Sequence, residues 1–317
     1  MSPPGPSEKK PLRWALAAAF LFGLSTPLAK PLAQTVSPLW LAGFFYAGSI
    51  LGILPGFFPG LGMGPRSPRE FLSLATLNRT EKLSLAASIL IGGAIAPIFL
   101  IVGLTRFPAS RGSLLLNAEA VFTVIIAHFL FRETMTRKLL VGVSLGSLGC
   151  GIVSLQEAGN GLSGAFLFLS AAFLWALDTN LLRFLTGINP LVLTLWKGIG
   201  SSLILLPLAW RFEPSRHSAT IVLTALGVGA LGYGLSLVFF LRSIRILGVS
   251  RTGAWFGLSP FLGAMLSIIF LGEPLTSRFL IAAGVLLVAI LFLQDFALPP
   301  NRIFRATGKK EPNQFKR

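Results

Sequence analysis

Three ionisable residues stand inside long apolar stretches of this chain: Glu119, Asp178 and Lys197. A charge in such a run is costly to bury, so it pairs, faces water or acts on a passing solute. Asp178 and Lys197 can be placed relative to each other. A turn is expected near Gly187-Ile188-Asn189-Pro190, nine residues after Asp178 and ten before Lys197. If both flanks are helical, each residue lies roughly 14 Å from the turn. An ion pair across the hairpin is open to them, either structural or broken in transit by substrate or protons. Otherwise they face separate partners. Glu119 stands about ten residues into its own run, roughly 15 Å deep. An acid there exchanges protons, meets a cationic group, or stays neutral and hydrogen-bonded at a helix contact.

Weaker candidates surround these three. Thr194, Lys197 and Ser201 follow i, i+3, i+7 and fall within about 60° of one another on a helix, a stripe that suits protein or a water-filled cavity better than lipid. Ser25-Thr26-Pro27 lies at similar depth, and Pro27 removes a helical hydrogen bond. Irregular backbone at that depth is tolerated where it lines a cavity. Tyr233, Trp175 and Trp255 either line a substrate path or pack. Gly92-Gly93 and Gly232-Tyr233-Gly234 are candidate flex points. His128 and Glu119 do not share a helix face.

Enzyme chemistry finds little support, with a rhomboid-like intramembrane protease as the remote alternative. Gly161-Leu162-Ser163-Gly164 has the form of an intramembrane serine protease motif, and Gly142-Val143-Ser144-Leu145-Gly146 that of a nucleophile elbow. An elbow needs a strand-to-helix turn, and Ser144 is expected mid-helix. The histidines available as bases, His128 and His217, are expected far from Ser163 or in a loop. No metal-ligand spacing, cofactor motif or phosphate-binding loop is present, and no charged ring or re-entrant segment suggests a channel.

The elements that must position these residues are membrane helices. Of 317 residues, 53% are hydrophobic and 12% charged, against about 25% charged in soluble domains; mean hydropathy is +0.77. Apolar runs are expected to span at 13–31, 36–55, 83–104, 109–131, 138–156, 163–184, 190–210, 219–242, 249–271 and 277–296. The first could pass for a signal peptide but reads as an uncleaved span. The net charge of +16 suggests nucleic acid only until the charges are placed. With the N-terminus inside, inner segments hold 20 Lys and Arg and outer segments six, so positive-inside bias puts both termini in the cytoplasm. The partners expected are a lipid bilayer and a small-molecule substrate rather than nucleic acid, with a homodimer left open. Cys150 has no partner for a disulfide within one chain.

The spans repeat. Ser110-Arg111, an apolar run, Glu133, Thr136 and Lys138 return 140 positions later as Ser250-Arg251, an apolar run, Glu273, Thr276 and Arg278. Phe20 to Thr26 aligns with Phe173 to Thr179, pairing Ser25 with Asp178 and Thr26 with Thr179, and Ser37-Pro38-Leu39 aligns with Asn189-Pro190-Leu191. Five spans per half make the repeats inverted. The expected chain is an all-α integral membrane protein of ten transmembrane helices: a tail over 1–12, a first repeat over 13–156, a second over 163–296 and a basic tail over 297–317. The first half carries an extra segment, 56–82, in which 69–77 has the pattern of a surface helix. Glu133, Thr136 and Ser110-Arg111 read as helix punctuation, Glu and Thr favouring the start of the next helix.

In its order of features the chain resembles EamA-type proteins of the drug/metabolite transporter superfamily. The resemblance rests on Arg132-Glu133 and Gly272-Glu273 closing the fourth and ninth spans. It rests also on the glycine-rich span with Gly142, Gly146, Gly149 and Gly151, and on Pro38 and Pro190 opening the second span of each half. It implies export or exchange of small metabolites across the inner or plasma membrane by alternating access, with no catalytic residue. Many members have Gly where this chain has Arg132. A zwitterion or cation suits the carboxylates, ammonium and aromatic faces; a lipid or lipid-linked substrate is the alternative within the superfamily.

Overall fold

A computed structural model describes residues 9–58, 77–155, 161–185, 187–247 and 249–293. The tail expected over 297–317 lies outside the described residues, as do most of the 1–12 tail and most of the 56–82 segment, including nearly all of its surface helix. Every regular element among the described residues is helical. They are α1 (Lys9–Thr35), α2 (Pro38–Ile53), α3 (Arg79–Arg106), α4 (Ala109–Leu115), α5 (Ala118–Phe131), α6 (Arg137–Leu155), α7 (Gly161–Leu181) and α8 (Pro190–Phe212). α9 then runs as Ala219–Val228, Gly229–Leu235 and Ser236–Leu247. α10 (Val249–Phe256), α11 (Ser259–Leu271) and α12 (Ser277–Leu293) complete the chain.

Among the described residues, eight helices are long and apolar enough to cross a membrane, counting Ala109–Phe131 as one; α11 and α12 are shorter. The outside of the bundle is apolar, with Phe129, Leu155, Leu203 and Trp210 all exposed. Water would penalise that surface, whereas hydrocarbon accepts it. Helix starts follow their residues. Asn78 and Glu81 form a reciprocal capping box on α3, Asn189 accepts from the Leu191 amide at 3.0 Å, and Pro38 and Pro190 occupy first-turn positions where no N–H is needed.

Three departures from straight spans matter. First, 109–131 is not one helix: it breaks at Leu116–Asn117, as 249–271 does at Gly257–Leu258. The break puts Glu119 in the first turn of α5, where the helix dipole favours negative charge. Second, α1 runs unbroken through Pro27 and Pro31, so backbone irregularity is not at Ser25-Thr26-Pro27. Third, the irregularity is at the glycines. α3 widens into a π segment over Ile89–Ile95 and α9 over Gly229–Leu235, 140 positions on. Another related pair of helices, α5 and α11, ends in the left-handed region: Arg132 at φ 53° and Gly272 at φ 65°.

The packing crosses the chain. α1 lies against α9 and α11, while α7 lies against α3 and α5; α2 packs on α8 and on the second π segment, and α6 on α12. α8 and α7 both pack on the first π segment. This brings Asp178 (α7), Lys197 (α8) and Gly92 (α3) together.

Candidate functional site

The centre of the site follows from one proline. In the first π segment the Ala96 N–H bonds the Ile91 carbonyl, five residues back. At that spacing the Gly92 carbonyl would take the N–H of residue 97, but Pro97 has none. An orphaned carbonyl in a buried helix must find another donor. It finds two: Tyr46 Oη donates to Gly92 O at 2.8 Å and Trp175 Nε1 donates at 3.0 Å. Trp175 and Tyr46 are thereby tied to the flexed backbone. At the matching position of the second half stands Leu237, which keeps its N–H.

Beside this acceptor lies the charged pair. Lys197 Nζ bonds and pairs with Asp178 Oδ2, and Ser88 Oγ donates to Asp178 Oδ1. Asp178 is 5% exposed, so both carboxylate oxygens are satisfied within the protein. Gly92 is required here: a methyl group on it would collide with the Asp178 carboxylate, and one on Gly93 would collide with Ser201 Oγ. The ion pair expected across the hairpin is present, and Ser201 shares its face. Thr194 does not join it by hydrogen bond; its hydroxyl turns back to the Pro190 carbonyl at 2.9 Å.

The second half repeats the arrangement with neutral groups. A methyl group on Gly232 would lie 2.6 Å from Ser25 Cβ, as Gly92 abuts Asp178. Ser25 Oγ donates to the Phe22 carbonyl at 2.6 Å, and Thr26 is buried beside it. Tyr233 is wrapped by rings: Phe45 stacks at 5.8 Å between centroids, Tyr46 lies at 6.0 Å and Phe22 at 6.1 Å. The halves are thus built alike but charged on one side only.

Glu119 is less tied down than Asp178. Among the described residues its carboxylate has one hydrogen-bond partner, Thr179 Oγ1 at 3.2 Å, and it lies close enough to Asp178 and Lys197 to feel both charges. Asn180, next along α7, donates to the carbonyls of Ala176 at 2.9 Å and Thr123 at 3.3 Å, while its buried Oδ1 has no partner among the described residues.

The paired glutamates act differently from helix-start punctuation. Glu273 does not cap α12; its two oxygens accept the backbone N–H groups of Ala109 (2.7 Å) and Ser110 (2.8 Å) at the head of α4, in the other half of the chain. Ser113 Oγ adds a bond to the Pro260 carbonyl at 2.9 Å, and Lys30 Nζ donates to the Leu104 and Phe107 carbonyls. Glu133 pairs with Arg183, and its carbonyl meets His128 Nδ1 at 2.6 Å. The threonines keep the expected part: Thr136 and Thr276 accept from the Leu139 and Phe279 amides at 3.3 and 3.2 Å. Among the described residues no group of three or more His, Cys, Asp or Glu is placed to hold a metal ion.

Sequence reasoning missed Ser88, Tyr46 and Pro97. Pro97 carried a readable signal, since a proline a few residues after Gly92-Gly93 denies a donor to those carbonyls. Ser88 and Tyr46 carried none, because only the folded packing shows what they reach.

Apolar helices wrapped round a buried charge pair and two opened helix turns define a membrane protein that handles solutes. The model of the EamA-like transporter family matches residues 9–155 and 162–294. The chain belongs to that family, within the drug/metabolite transporter superfamily, and is a multi-pass membrane protein. It is 29% identical over 292 residues to a protein of Methanothermobacter thermautotrophicus described as an uncharacterized transporter, covering 88% of this chain and 84% of that one. It is 29% identical over 221 residues to a probable amino-acid metabolite efflux pump of Salmonella typhimurium, covering 63% of this chain and 72% of the relative. A crystal structure aligns with a TM-score of 0.59 at 18% identity, over 91% of this chain and 98% of its own, a likeness of fold. The family and these relatives are transporters by name rather than enzymes.

Proposed function

We propose that the protein is a secondary transporter that exports a small organic metabolite, amino-acid-like or an amphipathic amine, across the plasma or inner membrane by alternating access. The observation that carries this is the Asp178–Lys197 pair set against the opened turn at Gly92. A buried ion pair can be exchanged for the charged ends of a zwitterion without leaving either partner unpaired. Glu119, with its single hydroxyl partner, and the Oδ1 of Asn180 offer acceptors for an amine. Trp175 and Tyr46, both bound to Gly92 O, link the site to the shape of the first π segment.

The proposal includes ten spans in two inverted five-helix repeats, with both termini cytoplasmic. Its support is the 140-residue spacing of the π segments, the packing of repeat-related helices on each other (α2 on α8, α6 on α12) and the charge bias of the loops. On this topology the Glu273 end is outside. There α4 packs on α11, while among the described residues no close packing joins α5 to α10, an arrangement that suits a state closed to the outside.

Purified protein in liposomes, screened with labelled amino acids and amphipathic amines with and without a pH gradient, tests this. Uptake of one class, lost on Lys197→Ala, is expected. Movement of labelled lipid with none of these solutes would replace the metabolite by a lipid substrate.

A further inference from the structure

A cavity apart from the charge pair lies at the Glu273 end. Its volume is about 420 Å³, and Lys30, Arg106, Arg111 and Glu273 are its charged lining, with apolar walls from Phe107 and Pro274. Three cations face one carboxylate, a formal excess of two positive charges. That carboxylate is committed to the Ala109 and Ser110 amides. Arg106 closes α3 and is exposed, so its guanidinium is available to the cavity mouth. The volume is at the small end of ligand pockets, which run from about 300 to 1,000 Å³.

We infer that this cavity is a vestibule that binds the carboxylate of a small organic acid or zwitterion with an apolar body. A guanidinium fork matches a carboxylate in two parallel hydrogen bonds, and the apolar walls take the remainder. A site with excess positive charge raises the local concentration of anions and repels cations. The physiological meaning rests on the transporter reading above and narrows it: between an amino-acid-like solute and an amphipathic amine, the vestibule favours the molecule that carries a carboxylate.

The test is binding of 4-fluorobenzoate to the full chain in nanodiscs of net-neutral lipid, followed by fluorine NMR. Saturable binding that weakens with added salt is expected. Arg106→Gln should weaken it on the order of threefold to tenfold, and Arg106→Lys, which keeps the charge but not the fork, should weaken it less. The neutral analogue 4-fluorobenzamide should not bind. Absence of binding, indifference to Arg106→Gln, or equal binding of the amide would each overturn the vestibule. A failed transport proposal is distinguishable: it leaves Arg106-dependent binding intact in a protein that moves no solute.

Discussion

Asp178 and Lys197 each satisfy the other, and removing one leaves a charge in a low-dielectric interior. That costs about 3–5 kcal/mol or forces the survivor neutral. Asp178→Ala and Lys197→Ala are therefore each expected to impair folding or transport, and the double variant to recover part of the loss in uptake and thermal-melt assays. If Lys197 instead holds an anionic group of the substrate, Lys197→Ala yields a folded, inactive protein and the double variant rescues nothing. Wild-type transport by both single variants rejects both roles. The two residues were legible in the sequence because charges inside apolar runs are rare and a nine-and-ten spacing about one turn sets their depth. Glu119 was legible by the same token, but its position at a helix start was not, because the break at Leu116–Asn117 carries no proline or glycine to mark it.

At the scale of the element, Pro97 separates the two π segments. Both widen around glycines, but only the first loses a donor. Pro97→Ala supplies an N–H that competes with Tyr46 and Trp175 for the Gly92 carbonyl. Proline in a helix interior is about 3 kcal/mol less favourable than alanine. The variant is expected to melt higher by an amount worth roughly 1–3 kcal/mol and to transport more slowly, the common exchange of activity for stability. A melting point unchanged or lowered, with full uptake, would show that the orphaned carbonyl has no bearing on turnover. The glycines at which both π segments fall were visible in the sequence. That α1 stays helical through Pro27 was not, since neighbouring helices decide whether a membrane proline bends its helix.

Over the whole molecule, the alternation of apolar runs and basic loops made the helical class and the repeat readable, and the crossed packing that follows was not. No local signal says that α1 packs on α9 and α11 while α7 packs on α3 and α5; that pairing is set by tertiary packing between residues far apart in the chain. The proposed topology has a direct check: alkaline-phosphatase fusions at Pro312 should be inactive and at Arg216 active, and reversal at either site would sink the ten-span arrangement. One contact between the halves bears on how they move. Gly48 and Gly52 of α2 bring their bare Cα atoms against the carbonyls of Leu226 and Ala230 on α9, and Gly234 of α9 answers against the Ser49 carbonyl. Backbone meets backbone at these glycines, while Phe45 and Tyr46 of α2 mesh with Tyr233 of α9 alongside, so the joint has no slack there. A methyl wedge at Gly48 or Gly52 has no gap to fill; it pries the two helices apart, and in the proposed alternating-access cycle it would hinder any step that needs them this close.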